Sequence, residues 1–341
     1  MFFKLLNPKM VCETLFFIGL ITICLGFLIV YGLTMPIANL MLKKGIFGVD
    51  VHKPTKPKIP EMGGLSIIFG LALCSITLMF FSDNPTHFLA FILTVYVASM
   101  VGVLDWFKRL GAWQKIFLAA LASIPILVLG VYYPYPTLPL IGKLRLTILY
   151  PIIVIPFLVT MLANATNMID VFNGSMAGTS TIAATFLTII AFLLNKPETT
   201  LMYASIAVCT FAFYLHNKYP AKVFSGDVGS LGVGAAFAAA AIIGRMEILT
   251  LFALLPTLIN GSLTLTSLGG VKERHEILER PTILLENGLL KANPSKNAPV
   301  TLTRLLVAAS PLKEPEIVKC FLLLTFFSGL LSLLTTFLMV A

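Results

Sequence analysis

Ten apolar runs of roughly 13 to 23 residues, separated by short charged segments, leave this 341-residue chain little choice of environment. They cover residues 13–35, 63–81, 88–104, 116–131, 149–162, 179–194, 201–215, 231–243, 248–268 and 318–339. A helix that crosses a bilayer needs about 20 mostly apolar residues. The rest of the chain cannot cover such a load in water. It is 58% hydrophobic and 11% charged, with a mean hydropathy of +0.95, whereas soluble domains carry about 25% charged residues. The expected fold is an all-α polytopic membrane protein of about ten transmembrane helices, a single integral domain over 1–341. Residues 1–12 with the first run superficially resemble a signal peptide. The run is too long for a cleaved segment, and we read it as the first membrane helix.

Charge placement sets the expected orientation. One set of loops holds Lys43, Lys44, Lys53, Lys56, Lys58, Lys108, Arg109, Lys115, Lys218, Lys222 and the basic residues of 269–317; the other holds Lys143, Arg145, Lys196 and Arg245, plus Lys4 and Lys9 in the N-terminal tail. Basic loops stay cytoplasmic, so the first set faces the cytoplasm. The net charge of +9 then reflects orientation and contact with anionic head groups, with no nucleic-acid partner. Five cysteines without CxxC spacing and four histidines without HxxxH spacing argue against a disulfide framework, a zinc site or a histidine metal site.

Against this background the acids stand out. The chain has five aspartates, and Asp50, Asp105, Asp170 and Asp227 lie where apolar runs end, all on the expected cytoplasmic side; Asp83 falls on the other. Ionised groups at a bilayer rim mark function by default. In Asp105-Trp-Phe-Lys-Arg-Leu-Gly-Ala-Trp-Gln-Lys115, a short loop can fold acid and amine together; Lys suits phosphate, and Asp can hold Mg²⁺ or accept a proton. Asn164, Asn167, Asp170 and Asn173 recur every three residues, a polar stripe at helical spacing that glues helices or lines an aqueous cleft. Phe224-Ser-Gly-Asp-Val-Gly-Ser230 offers a carboxylate, flexible backbone and amides at a helix start. The segment from Asp50 to Gly64 interleaves lysines with prolines as a stiff basic strand and ends Pro-Glu61-Met-Gly-Gly. Arg274, His275 and Arg280 can grip a diphosphate, or can belong to a salt-bridged surface with their glutamates. Each motif also has a plainer use as an anchor, a turn or helix glue. The loop 269–317 should carry a hairpin with a type I′ turn at Asn287-Gly288 and a short amphipathic piece near 300–309. A second hairpin is expected around 140–144.

These motifs, in this order, resemble the polyprenyl-phosphate N-acetylhexosamine-1-phosphate transferases, glycosyltransferase family 4, over about residues 45–340. The short 269–317 loop and Ile59-Pro-Glu-Met-Gly-Gly64 look more like the eukaryotic–archaeal branch, which joins GlcNAc-phosphate to dolichyl phosphate, than like the peptidoglycan branch. The resemblance implies ten membrane helices with a cytoplasmic cleft. It also implies transfer of a sugar 1-phosphate from a UDP-sugar to a polyprenyl or dolichyl phosphate, with release of UMP. By position, Asn167 and Asp227 resemble the Mg²⁺ pair (Mn²⁺ being an alternative) and Lys115 the phosphate lysine. Asp105 resembles the first acid of the family's aspartate pair, with Asp170 available as a substitute acid. Phe224 and Asn173 fall where uracil is held, Glu61 at the nucleoside end, and Asn164 with the substrate-binding residues. Arg274, His275 and Arg280 fall at the sugar phosphate. The resemblance admits a homodimer and favours an archaeal plasma membrane over the endoplasmic reticulum. One departure is plain: the second aspartate of the pair is Trp106 here. Two other readings stay open on sequence alone: a secondary transporter, and a homologue whose catalysis is impaired by Trp106.

Overall fold

The computed structural model describes residues 8–340 except 271, 273–276 and 278. Every apolar run becomes helix, and most of the helices extend past the segments that announced them, whereas α2 is shorter than its run. In chain order they are α1 (Pro8–Lys43), α2 (Leu65–Met79), α3 (Pro85–Lys108), α4 (Ala112–Leu121) continued by α5 (Ile124–Leu129), a π-helical turn (Tyr150–Val154) continued by α6 (Ile155–Ile169), α7 (Ser175–Leu193), α8 (Pro197–Asn217), α9 (Gly226–Gly244), α10 (Glu247–Ala253), α11 (Leu255–Ser267), α12 (Leu302–Leu306) and α13 (Glu314–Val340). Among the described residues, eight of these stretches are long and apolar enough to cross a bilayer. The pair α10–α11, bent by 77°, makes a ninth if counted as one span. The remaining run forms α2, whose fifteen residues make a rod of about 22 Å against a hydrocarbon core of about 30 Å.

The bundle closes around α9. Nearly all its side chains from Val228 to Ile242 are buried, and its Gly- and Ala-rich sequence lets neighbouring backbones approach closely, the usual route to tight packing in lipid. A Cβ added at Gly102 of α3 would collide with the backbone of Asp227, and one added at Gly64 would collide with Gly229. The start of α9 is therefore wedged against α3 and the start of α2. Two hydrogen bonds fix the same junction, from Gly63 N–H to the Phe224 carbonyl (2.9 Å) and from Gly64 N–H to the Ser225 carbonyl (3.0 Å).

Three small antiparallel hairpins decorate the helices. The segment expected as one stiff strand instead folds back on itself: β1 (Phe47–Val49) pairs with β2 (Lys58–Pro60), and the Lys58 ammonium lies 4.6 Å from the centre of the Phe47 ring. The hairpin expected near 140–144 is β3 (Thr137–Leu138) with β4 (Gly142–Lys143). The Asn-Gly hairpin is β5 (Thr282–Leu284) with β6 (Leu290–Ala292), but its turn is not type I′. Gly288 has φ +77° while Asn287 stays out of the left-handed region. Gly288 N–H bonds the Leu285 carbonyl (2.9 Å), and Leu285 N–H bonds that of Leu289 (2.8 Å). This is the three-residue loop that ends in a left-handed glycine. The amphipathic piece shortens to α12, whose N-cap Thr301 accepts the Arg304 N–H (3.1 Å).

Candidate active site

The polar residues singled out by sequence gather where α3, α6 and α9 end or begin. Asp105 sits on the last turn of α3. Arg109 then takes a left-handed conformation, φ +46°, and a tight turn launches α4. Asp105 Oδ1 accepts the Leu110 N–H (2.9 Å), which pins the turn, and its Oδ2 accepts Lys115 Nζ (3.0 Å). Lys115 is 7% exposed and points away from the lipid-facing side of α4. Its ammonium also pairs directly with Asp227, on the first turn of α9. Asn167, on the last turn of α6, faces the Asp227 carboxylate. One ammonium shared by two carboxylates leaves the trio with a net charge of −1. Asp227 also gains from the partial positive charge at a helix N-terminus.

Asp170 closes α6 and receives a hydrogen bond from the Ser225 hydroxyl. Ser225 holds the N-cap position of α9 yet does not cap it, because its hydroxyl is spent on Asp170. Burial pushes the Asp170 carboxyl up to about 7; the Ser225 bond pulls the other way, and the nearby Asp227 and Glu61 charges add to the rise. Glu61, Asp105, Trp106 and Asp227 line a cleft of ≈ 110 Å³ floored by Gly102 and Gly226. Phe224 is tied in through its N–H to the Pro60 carbonyl (2.8 Å). Six expected site residues, Glu61, Asp105, Lys115, Asn167, Asp170 and Asp227, thus come together.

Others do not. The four-member stripe breaks at Asp170, where α6 ends. Asn164 turns its amide onto its own helix, Nδ2 to the Thr160 carbonyl at 2.8 Å. Asn173 lies beyond the helix in a separate buried network. Its Oδ1 accepts from Lys53 Nζ (3.0 Å) and Ala221 N–H (2.7 Å), and its Nδ2 donates to Asp50 (3.2 Å). Lys53 also pairs with Asp50 at 2.7 Å, and the Glu314 carboxylate accepts the Asn173 N–H at 2.8 Å. Sequence reasoning read Lys53 only as an orientation charge in a basic strand and did not single out Glu314. The i,i+3 spacing of Asp50 and Lys53 was a usable signal; Glu314, 141 residues from Asn173, carried none. Arg280 is exposed beside the β5–β6 hairpin, where its carbonyl accepts from Asn293. Arg274 and His275 lie outside the described residues.

The donor set suits a hard cation. Among the described residues no three His, Cys, Asp or Glu groups form a metal cage. Mg²⁺ does not require one, since it takes one or two carboxylates and fills its remaining positions with phosphate oxygens and water. Asp227 with the Asn167 amide fits that demand. The break between α10 and α11 is lined instead by buried apolar residues such as Ala253 and Leu254. Beside it the buried Thr250 hydroxyl is bonded to Tyr203 and to the Met246 carbonyl, an arrangement unlike the open polar site of a secondary transporter.

Similarity to known proteins follows the same geometry. The glycosyl transferase family 4 pattern matches residues 88–245, the stretch from α3 to α9 that holds Asp105, Lys115, Asn167, Asp170 and Asp227. A Methanocaldococcus jannaschii protein provisionally named a glycosyltransferase is 31% identical over 87% of this chain and 91% of its own length. A Saccharolobus solfataricus protein provisionally named UDP-N-acetylglucosamine–dolichyl-phosphate N-acetylglucosaminephosphotransferase is 33% identical over 67% of this chain and 71% of its own length. The phospho-N-acetylmuramoyl-pentapeptide-transferase of Bacillus pumilus is 30% identical over 67% and 76% respectively. With this coverage and five of the six clustered residues inside the matched region, the chain belongs to glycosyl transferase family 4.

Proposed function

We propose that this enzyme moves a sugar 1-phosphate from a uridine diphospho-sugar to a polyprenyl phosphate of the dolichyl type, releasing UMP and leaving a lipid-diphospho-sugar. The names of the archaeal relatives favour N-acetylglucosamine as the sugar. The observation that carries this reading is the Lys115 ammonium held between Asp105 and Asp227, with Asn167 alongside, at one end of the bundle. The surplus of Lys and Arg in the loops at that end favours the cytoplasmic side.

In the reaction an oxygen of the lipid phosphate attacks the sugar-bearing phosphorus of the donor. The bond from that phosphorus to the bridging oxygen breaks, and the electron pair leaves on UMP. Two anions must meet, so the protein's task is positioning and charge compensation. Lys115 offsets phosphate charge. Asp105, fixed by the Leu110 N–H, holds Lys115 in line and lies beside the incoming acceptor. A phosphate monoester is mostly dianionic at neutral pH, its second pKa being about 6, so the acceptor needs no strong base and Trp106 at the second acid position does not by itself disable the site. A divalent cation at Asp227 and Asn167 would further neutralise the diphosphate. The test is UMP release by purified protein supplied with Mg²⁺, UDP-N-acetylglucosamine and a polyprenyl phosphate, with radiolabel passing to lipid. Turnover without lipid acceptor, or none with it, would count against the proposal. A sugar-phosphate adduct trapped on Asp105 would replace direct attack by a covalent route.

A further inference from the structure

The chain has two tryptophans, seven residues apart, and the structure separates them. Trp113 is 74% exposed. With Phe117 at i+4 it occupies the face of α4 opposite buried Lys115, where an interfacial aromatic normally meets lipid. Trp106 is 40% exposed. It lines the cleft with Glu61, Asp105 and Asp227, and its ring packs edge-on against Phe107 at 5.0 Å between centroids. Phe107 and Leu104, on the same final turn of α3, are exposed on the bundle's outer surface. The indole is thus the point where the charged cleft and the lipid-facing surface meet.

We infer that Trp106 is a positioning residue for the acceptor: the isoprenyl unit next to the lipid phosphate packs on its indole, which sets the phosphate beside Asp105 and Lys115. This rests on the reaction proposed above. Chemistry on the page selects the lipid over the nucleotide as occupant. An aromatic face offers apolar contact and no charge. It borders the membrane side of the cleft, while Glu61 and Phe224 belong to the hairpin side, joined to Pro60. The exposed Lys108 and Arg109 follow at once in the chain and add positive charge at the entrance.

The test uses full-length Trp113→Phe protein in detergent, leaving Trp106 as the sole tryptophan. Farnesyl phosphate should shift its emission to the blue with saturation, whereas farnesol or inorganic phosphate alone should act only at concentrations about tenfold higher or more, the scale of one lost contact. UDP-N-acetylglucosamine alone should leave the emission unchanged. A shift with the UDP-sugar and none with farnesyl phosphate overturns the inference, as does no shift from either. In the otherwise native chain, Trp106→Ala should raise the lipid KM about tenfold while the UDP-sugar KM stays within about twofold, and Trp106→Phe should recover most of the loss. Equal rises in both KM values, or a loss confined to kcat, also overturn it. If the native protein releases no UMP, the reaction itself is wrong, and the fluorescence titration still decides whether a prenyl phosphate binds at Trp106.

Discussion

The two ends of the bundle both bury acids, and they treat them differently. At the end opposite the cleft, Glu198 is saturated: Ser82 (2.6 Å) and Asn84 (3.0 Å) donate to one oxygen, and His87 meets the other at 2.5 Å. Glu247 is likewise held by the Tyr150 hydroxyl, and Lys196 donates to the Gly244 carbonyl at 2.5 Å. At the cleft end two carboxylates share one ammonium, and Asp227 keeps about a third of its side chain exposed. The first arrangement satisfies each charge and closes; the second keeps unspent acceptor capacity facing a cavity. Saturation marks a clasp between helices, and unspent capacity marks a place for a ligand.

That contrast can be broken by experiment. The largest effect is expected from Asp227→Asn, which should cut UMP release by roughly 10²–10³-fold, the usual cost of removing one preorganised charge-stabilising group, while thermal unfolding changes little. Next comes Gly102→Ala. Its added methyl collides with the Asp227 backbone and should part α3 from α9, and a displacement of about 1 Å at a reacting group costs on the order of 10²-fold; kcat should fall while the far-UV spectrum is kept. Glu198→Gln should do the reverse: activity within about twofold but a melting temperature lower by several degrees, since hydrogen bonds to a charged group contribute about 1.5–3 kcal/mol. Abolished turnover at unchanged stability in Glu198→Gln would end the distinction between the two ends. The smallest effect concerns pH. The Asp170 carboxyl titrates near 7 in the folded protein and near 3.9 when unfolded. Its contribution is complete below the unfolded value and is lost as pH rises through about 7. Thermal stability should therefore decline between about pH 4 and 7 in the native chain, and Asp170→Asn should flatten that decline.

Much of this was legible in the sequence, with one systematic error. The apolar runs end at Leu104 and Leu162 or begin at Ile116 and Leu231, and so place Asp105, Asn167, Lys115 and Asp227 in connecting segments. The structure puts all four on terminal helical turns. Hydropathy reports where lipid stops; a helix continues as long as its backbone is bonded and its side chains find partners, and these residues partner one another. Spacing correctly paired Asp105 with Lys115 because one short turn joins them. It failed for Asn173, since periodicity cannot show that α6 stops at Ile169, and for Glu314, whose partner lies on a distant helix. The β1–β2 hairpin was hidden because its eight connecting residues carry charge and proline in place of an alternating pattern.

The collision site at Gly102 has a further consequence. Gly102 lies six residues before the end of α3, or about 9 Å along its axis, and Asp227 is level with it. The cleft, lined from Asp105 and Trp106 down to Gly102, therefore reaches about a turn and a half below the end of α3. For the water-borne donor this means shedding hydration on the way down. In the reaction proposed the acceptor arrives from the lipid beside the bundle, so the soluble partner does most of the travelling.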